Sequence, residues 1–413
     1  MAAETKPDSL PLLWLLGSNA ISLLGSSITT IALPWYVLQS TGSAAQAGLV
    51  GAVSVMPALV AGIIGGSLVD RLGAKRVALA EDVSSAVAVA LIPLLHQTVG
   101  LSFWSLLVLV FAASLLNVPG ETARYALLPE LAARAGWRLE RANAAFQGNG
   151  YAAALLGPAV AGLLIALVGV TSVLWIDAAS FLISAVIVSI AVPNRRAASE
   201  KSAPGGALRE LFAGIRFLAH DRLLRALAIG LACGNLFGLG ALFAVMLPVY
   251  ATDAFGSAAV LGVLVAAQGA GQLIGAGAFA MVGHRLPRRL VWSMGFLLNP
   301  LRFGMLAVAL PLPVLLVVLV GAGVVSGAFN PLLVTVLHER VPASLHGRVF
   351  AVFAAMGSIA VPLGIALSGM LVERWGLQLT AAGLAAISSL VGLAMLRSGA
   401  LTSPAIAEYG VGT

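Results

Sequence analysis

The chain has 413 residues, of which 60% are hydrophobic and only 9% charged, with a formal net charge of +7. A soluble protein carries roughly a quarter charged residues, so a water-facing globular domain is excluded, and a mean hydropathy of +1.02 points to the membrane. The single cysteine, Cys233, rules out a disulfide framework or a cysteine metal site.

Spanning roughly 30 Å of hydrocarbon takes about 20 apolar residues in a helix, and about twelve such runs occur here. They are 10–39, 44–69, 77–97, 101–127, 142–168, 171–193, 223–251, 257–282, 290–310, 312–337, 348–372 and 376–397. The expected class is therefore an all-α, multi-pass membrane protein. Residues 1–9, "MAAETKPDS", lack the basic start and cleavage site of a signal peptide, so the first span is expected to be retained.

Basic residues gather in one set of loops, leaving Arg374 as the only cation in the other. Arg71, Lys75 and Arg76 follow span 2, Arg134, Arg138 and Arg141 follow span 4, and Arg285, Arg288 and Arg289 follow span 8. The alternate loops read "QSTGSAA", "HQTVG", "VGVT" and "ALPLP". The positive-inside rule places the basic loops and both termini in the cytoplasm of a cell-membrane protein. The pI near 10.2 is then a topology signal, not a nucleic-acid footprint.

Charged and polar residues within spans are functional candidates because hydrocarbon penalises them. Glu81 and Asp82, early in span 3, are read as balancing the loop cations. In span 4, Asn117, Glu121 and Tyr125 share one helical face, and Glu121 either exchanges protons or pairs with Arg124. Asp177 in span 6 carries either a proton or a structural hydrogen bond, and Arg302 in span 9 calls for a carboxylate such as Glu121 or Asp177, or a wet cavity. Asp82 joins Glu121 and Asp177 as a proton candidate. Asn235, Gln268, Gln272 and Asn330 are candidates to face a cavity, with Phe146 and Phe237 as apolar lining. Trp14, Trp35, Trp104, Trp175 and Trp292 lie near span ends and read as an interfacial belt.

The two halves repeat. Leu33, Pro34, Tyr36, Gly42, Ser43, Ala44 and Gly48 recur in order as Leu247, Pro248, Tyr250, Gly256, Ser257, Ala258 and Gly262. Asn117, Thr122 and Pro129 recur as Asn330, Thr335 and Pro342. The organisation expected is a six-helix bundle over 1–193, a cytoplasmic linker with an amphipathic helix over 194–222, and a second six-helix bundle over 223–413. Two pseudo-symmetric bundles enclosing a midplane cavity are a transporter architecture.

"GGSLVDRLGAKRV" resembles the loop 2–3 signature of the major facilitator superfamily, with Gly66, Asp70, Arg71, Gly73, Lys75 and Arg76 in its places. The resemblance implies that Asp70 accepts from a neighbouring helix end and pairs with arginine, as part of a conformational switch. "LLGPAVAG" resembles the span-5 antiporter signature through Gly157, Pro158 and Gly162, although Ala161 replaces a customary glycine. "ALPWYVLQ", "LPELAARAGWRLERANAA" and "VPASLHGRVFAVF" resemble the branch that holds Tap-like, macrolide and siderophore exporters. Members of that branch often carry acids where this chain has Ser26 and Asn117.

The resemblance implies the major facilitator fold and proton-driven, alternating-access efflux of amphipathic small molecules, with no cofactor beyond the proton gradient. The expected partners are those molecules, protons and membrane lipids, with no nucleic acid, and the expected state is a monomer. Export of a siderophore or native metabolite, or lysophospholipid flipping, is the rival within the fold. A membrane enzyme is the rival outside it, but no constellation of His, Asp or Ser supports one.

Overall fold

The computed structural model describes residues 8–58, 68–193, 215–236, 238–308, 310–342 and 345–397. All regular structure among them is helical. In chain order the helices are α1 (Leu10–Thr41), α2 (Ala44–Val55), α3 (Ala74–Thr98), α4 (Phe103–Leu115), α5 (Asn117–Ala135), α6 (Leu139–Val168) and α7 (Val170–Ala191). They continue with α8 (Arg222–Leu236), α9 (Leu247–Phe255), α10 (Ala258–Val282), α11 (Arg288–Ala307), α12 (Leu312–Arg340), α13 (His346–Trp375) and α14 (Leu377–Arg397). Nine helices among the described residues are long and apolar enough to cross a membrane, and three shorter apolar stretches accompany them. Most of the expected linker, residues 194–214, lies outside the described residues.

Prolines explain where spans depart from single helices. The fourth span breaks at Leu116 (φ −97°, ψ 0°) and resumes as α5, running on to Ala135 rather than ending near 127. Pro119 has no N–H, and its ring would strike the carbonyl of Leu115, the last residue of α4. The seventh span is likewise interrupted. A π turn at Leu242–Met246 precedes α9, where Pro248 leaves the carbonyls of the preceding turn without their usual donor.

By internal contacts the chain divides into two compact units, Met1–Tyr36 with Val53–Ser202, and Val37–Ala52 with Ala203–Thr413. The end of α1 and most of α2 therefore pack with the second unit. There Gly48 and Gly369 let α2 and α13 touch backbone to backbone, since a methyl on Gly48 would sit 3.0 Å from the Gly369 Cα. The Ala45 N–H donates to Glu373 Oε2 at 3.2 Å.

Within the first unit α3 packs on α7, α5 and α4; within the second, α11 packs on α14 and α12. The third span thus meets the sixth in each repeat. The repeat also shows in detail: the Tyr36 hydroxyl bonds His96 Nδ1 at 2.9 Å, and the matching Tyr250 hydroxyl donates to the Leu310 carbonyl at 3.0 Å, each 60 residues along.

Each unit has an apolar core. Leu15, Val77, Leu128, Leu131 and Val188 centre the first, and Leu224, Trp292, Leu332, Val336 and Phe353 the second. Val108, Leu167, Ile190 and Val317 are exposed, as suits a surface whose solvent is lipid. The tryptophan belt needs correction. Trp14, Trp104 and Trp175 are exposed, whereas Trp35 and Trp292 are buried, with Trp292 stacked edge-on to Phe329 at 4.4 Å. Proximity to a span end fixes a residue's depth but not which way the side chain turns.

Between α10 and α12 the spacing is set by glycine. A methyl on Gly271 would lie 2.9 Å from the Gly323 Cα, and one on Gly323 would lie 2.8 Å from the Gly271 Cα. Small residues permit this approach, which replaces the hydrophobic drive absent in lipid with close packing.

Candidate functional site

The inner face of α3 carries the charges. Its buried positions include Ala78, Glu81, Asp82, Ser85 and Val89, one helical stripe turned toward α5 and α7. Arg124 on α5 reaches both acids: Nη1 donates to Glu81 Oε2 at 2.7 Å and Nη2 to Asp82 Oδ1 at 2.6 Å. All three side chains are at most 5% exposed. Burial of charge is costly unless it is paired and hydrogen-bonded, and Asp82 takes further donors from Ser184 on α7 (2.8 Å) and Ser22 on α1 (3.4 Å). Gly120 makes room, since a methyl there would come within 2.5 Å of the Glu81 Cγ.

This corrects two expectations. Glu81 and Asp82 do not balance the loop cations; their helical phase turns them inward. Arg124 does not pair with Glu121, because its guanidinium points to α3 while Glu121, on the neighbouring face of α5, is exposed.

Nearer the other end of α7, Asp177 is fully buried and accepts from Thr29 on α1 and from Ser180 at 3.2 Å on its own helix. Gly25 is the position on α1 that admits it, because a methyl there would collide with Asp177 and Ser180. Ser22 and Thr29, two turns apart, thus line α1 with donors for the two acids that face it. Ser26 instead turns its hydroxyl back to the Ser22 carbonyl at 3.0 Å.

Asn117, Glu121 and Tyr125 do share a face of α5, and all three are exposed. The Tyr125 ring packs on Phe146 of α6 with centroids 4.4 Å apart. Phe146 is itself buried in the first unit's core, a correction to its expected place as cavity lining: its neighbours there include Ala142 and Leu128.

The loop motif is part described; Gly66 lies outside the described residues. Asp70 and Arg71 are exposed and enter no ion pair among the described residues. Gly73 adopts φ 88°, a left-handed backbone that opens α3 and that a side chain would strain. Lys75 donates to the carbonyls of Ser189 (2.7 Å) and Val192 (2.5 Å) at the C-terminal end of α7, where the helix dipole favours a cation. Arg76 is exposed. In the span-5 motif Gly157, Pro158 and Gly162 are buried, and a methyl on Gly157 would collide with Ser27, so this stripe sets the approach of α6 to α1.

In the second unit Gln268 is buried and donates to the Ser326 hydroxyl at 3.3 Å, while Gln272 and Asn235 are half-buried. Phe237 and the side chain of Asn330 lie outside the described residues. Arg302 is buried. Its described acceptor is the Oδ1 of Asn299, one turn back, and not Glu121 or Asp177; Nε and Nη1 have no hydrogen bond among the described residues. At the end that carries the basic loops, Arg288 grips Glu339 through two bonds of 2.5 and 2.8 Å, which hold that carboxyl below its ordinary range.

The sequence did not reveal the Glu81–Asp82–Arg124 cluster, because its members stand 43 and 42 residues apart on two helices. The available signal was an adjacent acid pair in one span and an arginine in the next, an arrangement hydrocarbon tolerates only when it closes on itself.

The family model of the Major Facilitator Superfamily matches residues 15–251 and 230–407. The multidrug efflux pump Tap of Mycobacterium tuberculosis is 35% identical over 398 residues, covering 95% of this chain and 94% of that protein. Macrolide efflux protein A of Streptococcus pyogenes is 24% identical over 374 residues, covering 87% of this chain and 89% of that one. Among solved structures, the nucleoside transporter NupG matches with a TM-score of 0.72 at 16% identity, covering 94% of this chain and 98% of that one, a likeness of fold alone.

Proposed function

The chain belongs to the Major Facilitator Superfamily, and we propose that it exports amphipathic small molecules across the cell membrane by alternating access, in exchange for protons. It is a multi-pass membrane transporter and not an enzyme. Its end-to-end similarity to a multidrug efflux pump, at 35% identity, carries the efflux reading. A pump of this class handles molecules with an apolar body and a polar or cationic end, for which exposed Tyr125 and Glu121 on α5 offer an aromatic face and a carboxylate.

Proton exchange is supported by the first unit's stock of intramembrane carboxylates, Glu81, Asp82 and Asp177, against one guanidinium. An ionisable group kept inside hydrocarbon is retained for ion or proton movement more often than for stability. The basic loops support a cytoplasmic position for both termini. The carrier works as a monomer among membrane lipids, needs no bound cofactor, and draws its energy from the proton gradient.

The test is expression in a bacterium stripped of its own efflux pumps. Resistance to amphipathic dyes and macrolides should rise several-fold over an empty vector, and a protonophore should abolish the rise. No change across the panel, with labelled lysophospholipid or a siderophore moved instead, would replace the drug with one of those cargoes.

A further inference from the structure

We propose that the Glu81–Asp82–Arg124 cluster is the seat of the exchanged proton, with Glu81 as its carrier. This assignment rests on the proton-antiport reading given above.

Charge counting comes first. Two carboxylates face one guanidinium in a pocket where every side chain is at most 5% exposed, so the fully ionised cluster holds one surplus negative charge. A surplus charge away from water is expensive. It is removed by one proton, or offset by a cation brought close.

The two acids are not equivalent. Asp82 receives three donors, Arg124 Nη2, Ser184 and Ser22, from three different helices. Glu81 receives one, Arg124 Nη1 on its Oε2, and no described donor meets Oε1. Donors to the charged form favour that form, so Asp82 stays the fixed anion while the proton binds and leaves Oε1 of Glu81.

Among the described residues, no other titratable group competes at this spot. α4 contributes none along Phe103–Leu115, and α1 presents serines. α7 brings Ser184 to the cluster, with its own acid, Asp177, two turns further on and bonded to Thr29 and Ser180. On α3, Lys75 is engaged with α7 carbonyls, Arg76 is exposed and His96 sits at the far end beside Tyr36. On α5, Glu121 is exposed and makes no bond to the cluster among the described residues.

The geometry also supplies a link to cargo. Arg124 is the residue before Tyr125, and Gly120, which accommodates Glu81, is the residue before Glu121. The face of α5 offered to substrate and the face that holds the cluster therefore belong to the same two turns. A cationic substrate held at Glu121, on the same two turns of α5, makes the potential at the cluster less negative and so weakens its hold on a proton at Glu81; arrival of one favours departure of the other. The proton leaves Glu81 as the substrate is bound and returns as it is released.

The experiment uses the full chain in liposomes, with the membrane potential clamped by potassium and valinomycin, and ethidium as the probe. With an acid interior, the wild type should accumulate ethidium several-fold. Glu81→Gln should lose the response to the pH step while ethidium still equilibrates down its own gradient, and Glu81→Asp should restore part of the response. A Glu81→Gln variant that follows the pH step like the wild type would overturn the assignment and leave antiport standing. A wild type indifferent to the pH step would remove antiport and the assignment together. Should Glu81→Gln fail to fold, proton release by the wild type in weak buffer decides: about one proton per ethidium bound is expected from the charge count, and none would overturn the proposal.

Discussion

Replacing Arg124 with methionine keeps the volume and removes the charge, leaving Glu81 and Asp82 buried side by side without a counterion. The structure sets the magnitude. Two charge-assisted hydrogen bonds of 2.7 and 2.6 Å disappear, each worth about 1.5–3 kcal/mol, and breaking a buried ion group by deleting one partner costs about 3–5 kcal/mol. At about 2–4 °C per kcal/mol for a unit of this size, the melting temperature should fall by roughly 6–20 °C. Thermal unfolding in mild detergent, followed by circular dichroism and by fluorescence-detected gel filtration, measures it. The companion is the triple variant Arg124→Met, Glu81→Gln, Asp82→Asn. Removing the whole group is often nearly neutral, so most of the loss should return. A single variant that melts within about 3 °C of wild type, or a triple variant no better than the single, would refute the view that these residues compensate one another.

Glycine positions give a paired test on one helix: Gly323→Val should force α12 off α10, where it meets the Gln268 carbonyl and Gly271, and cost about 1–3 kcal/mol or more. Gly321→Ala, which meets open space two residues away, should be neutral or stabilise by about 0.4–1 kcal/mol, both read by thermal melts. The Arg288–Glu339 pair holds a partly exposed carboxyl below its ordinary range, so its contribution is present above about pH 4.3 and fades as pH falls through the depressed value. Glu339→Gln should then cost less than about 1 kcal/mol at neutral pH, and melting curves of variant and wild type should converge as pH falls below that depressed value. Lys75→Met should loosen the end of α7 by about 0.3–1 kcal/mol, seen as faster amide exchange around Val192.

The helical, multi-pass architecture was legible because hydrocarbon imposes it: run lengths marked apolar spans, and the Tyr36–Tyr250 repeat appears in the structure as matched anchors 60 residues along. Side-chain direction was less so. Trp292 looked interfacial by position and is buried against Phe329, and Phe146 looked like cavity lining and sits in the core. For Glu81 and Asp82 the early position in span 3 suggested service to nearby loop cations, while the true partner lay a whole span later. Which of two faces a charged residue takes depends on what the next helix offers, and Gly120 and Arg124 make that offer only after α3 and α5 have packed. The breaks at Leu116 and at the π turn before Pro248 were foreshadowed by proline, but their exact form depended on local repacking.

The central claim is exchange of cargo for protons, and initial rates of ethidium entry into acid-interior liposomes at clamped potential test it most directly. The account predicts uptake that rises with the imposed pH difference, overshoots equilibrium, and collapses when a protonophore is added. Uptake that stays the same with and without the pH difference would contradict it.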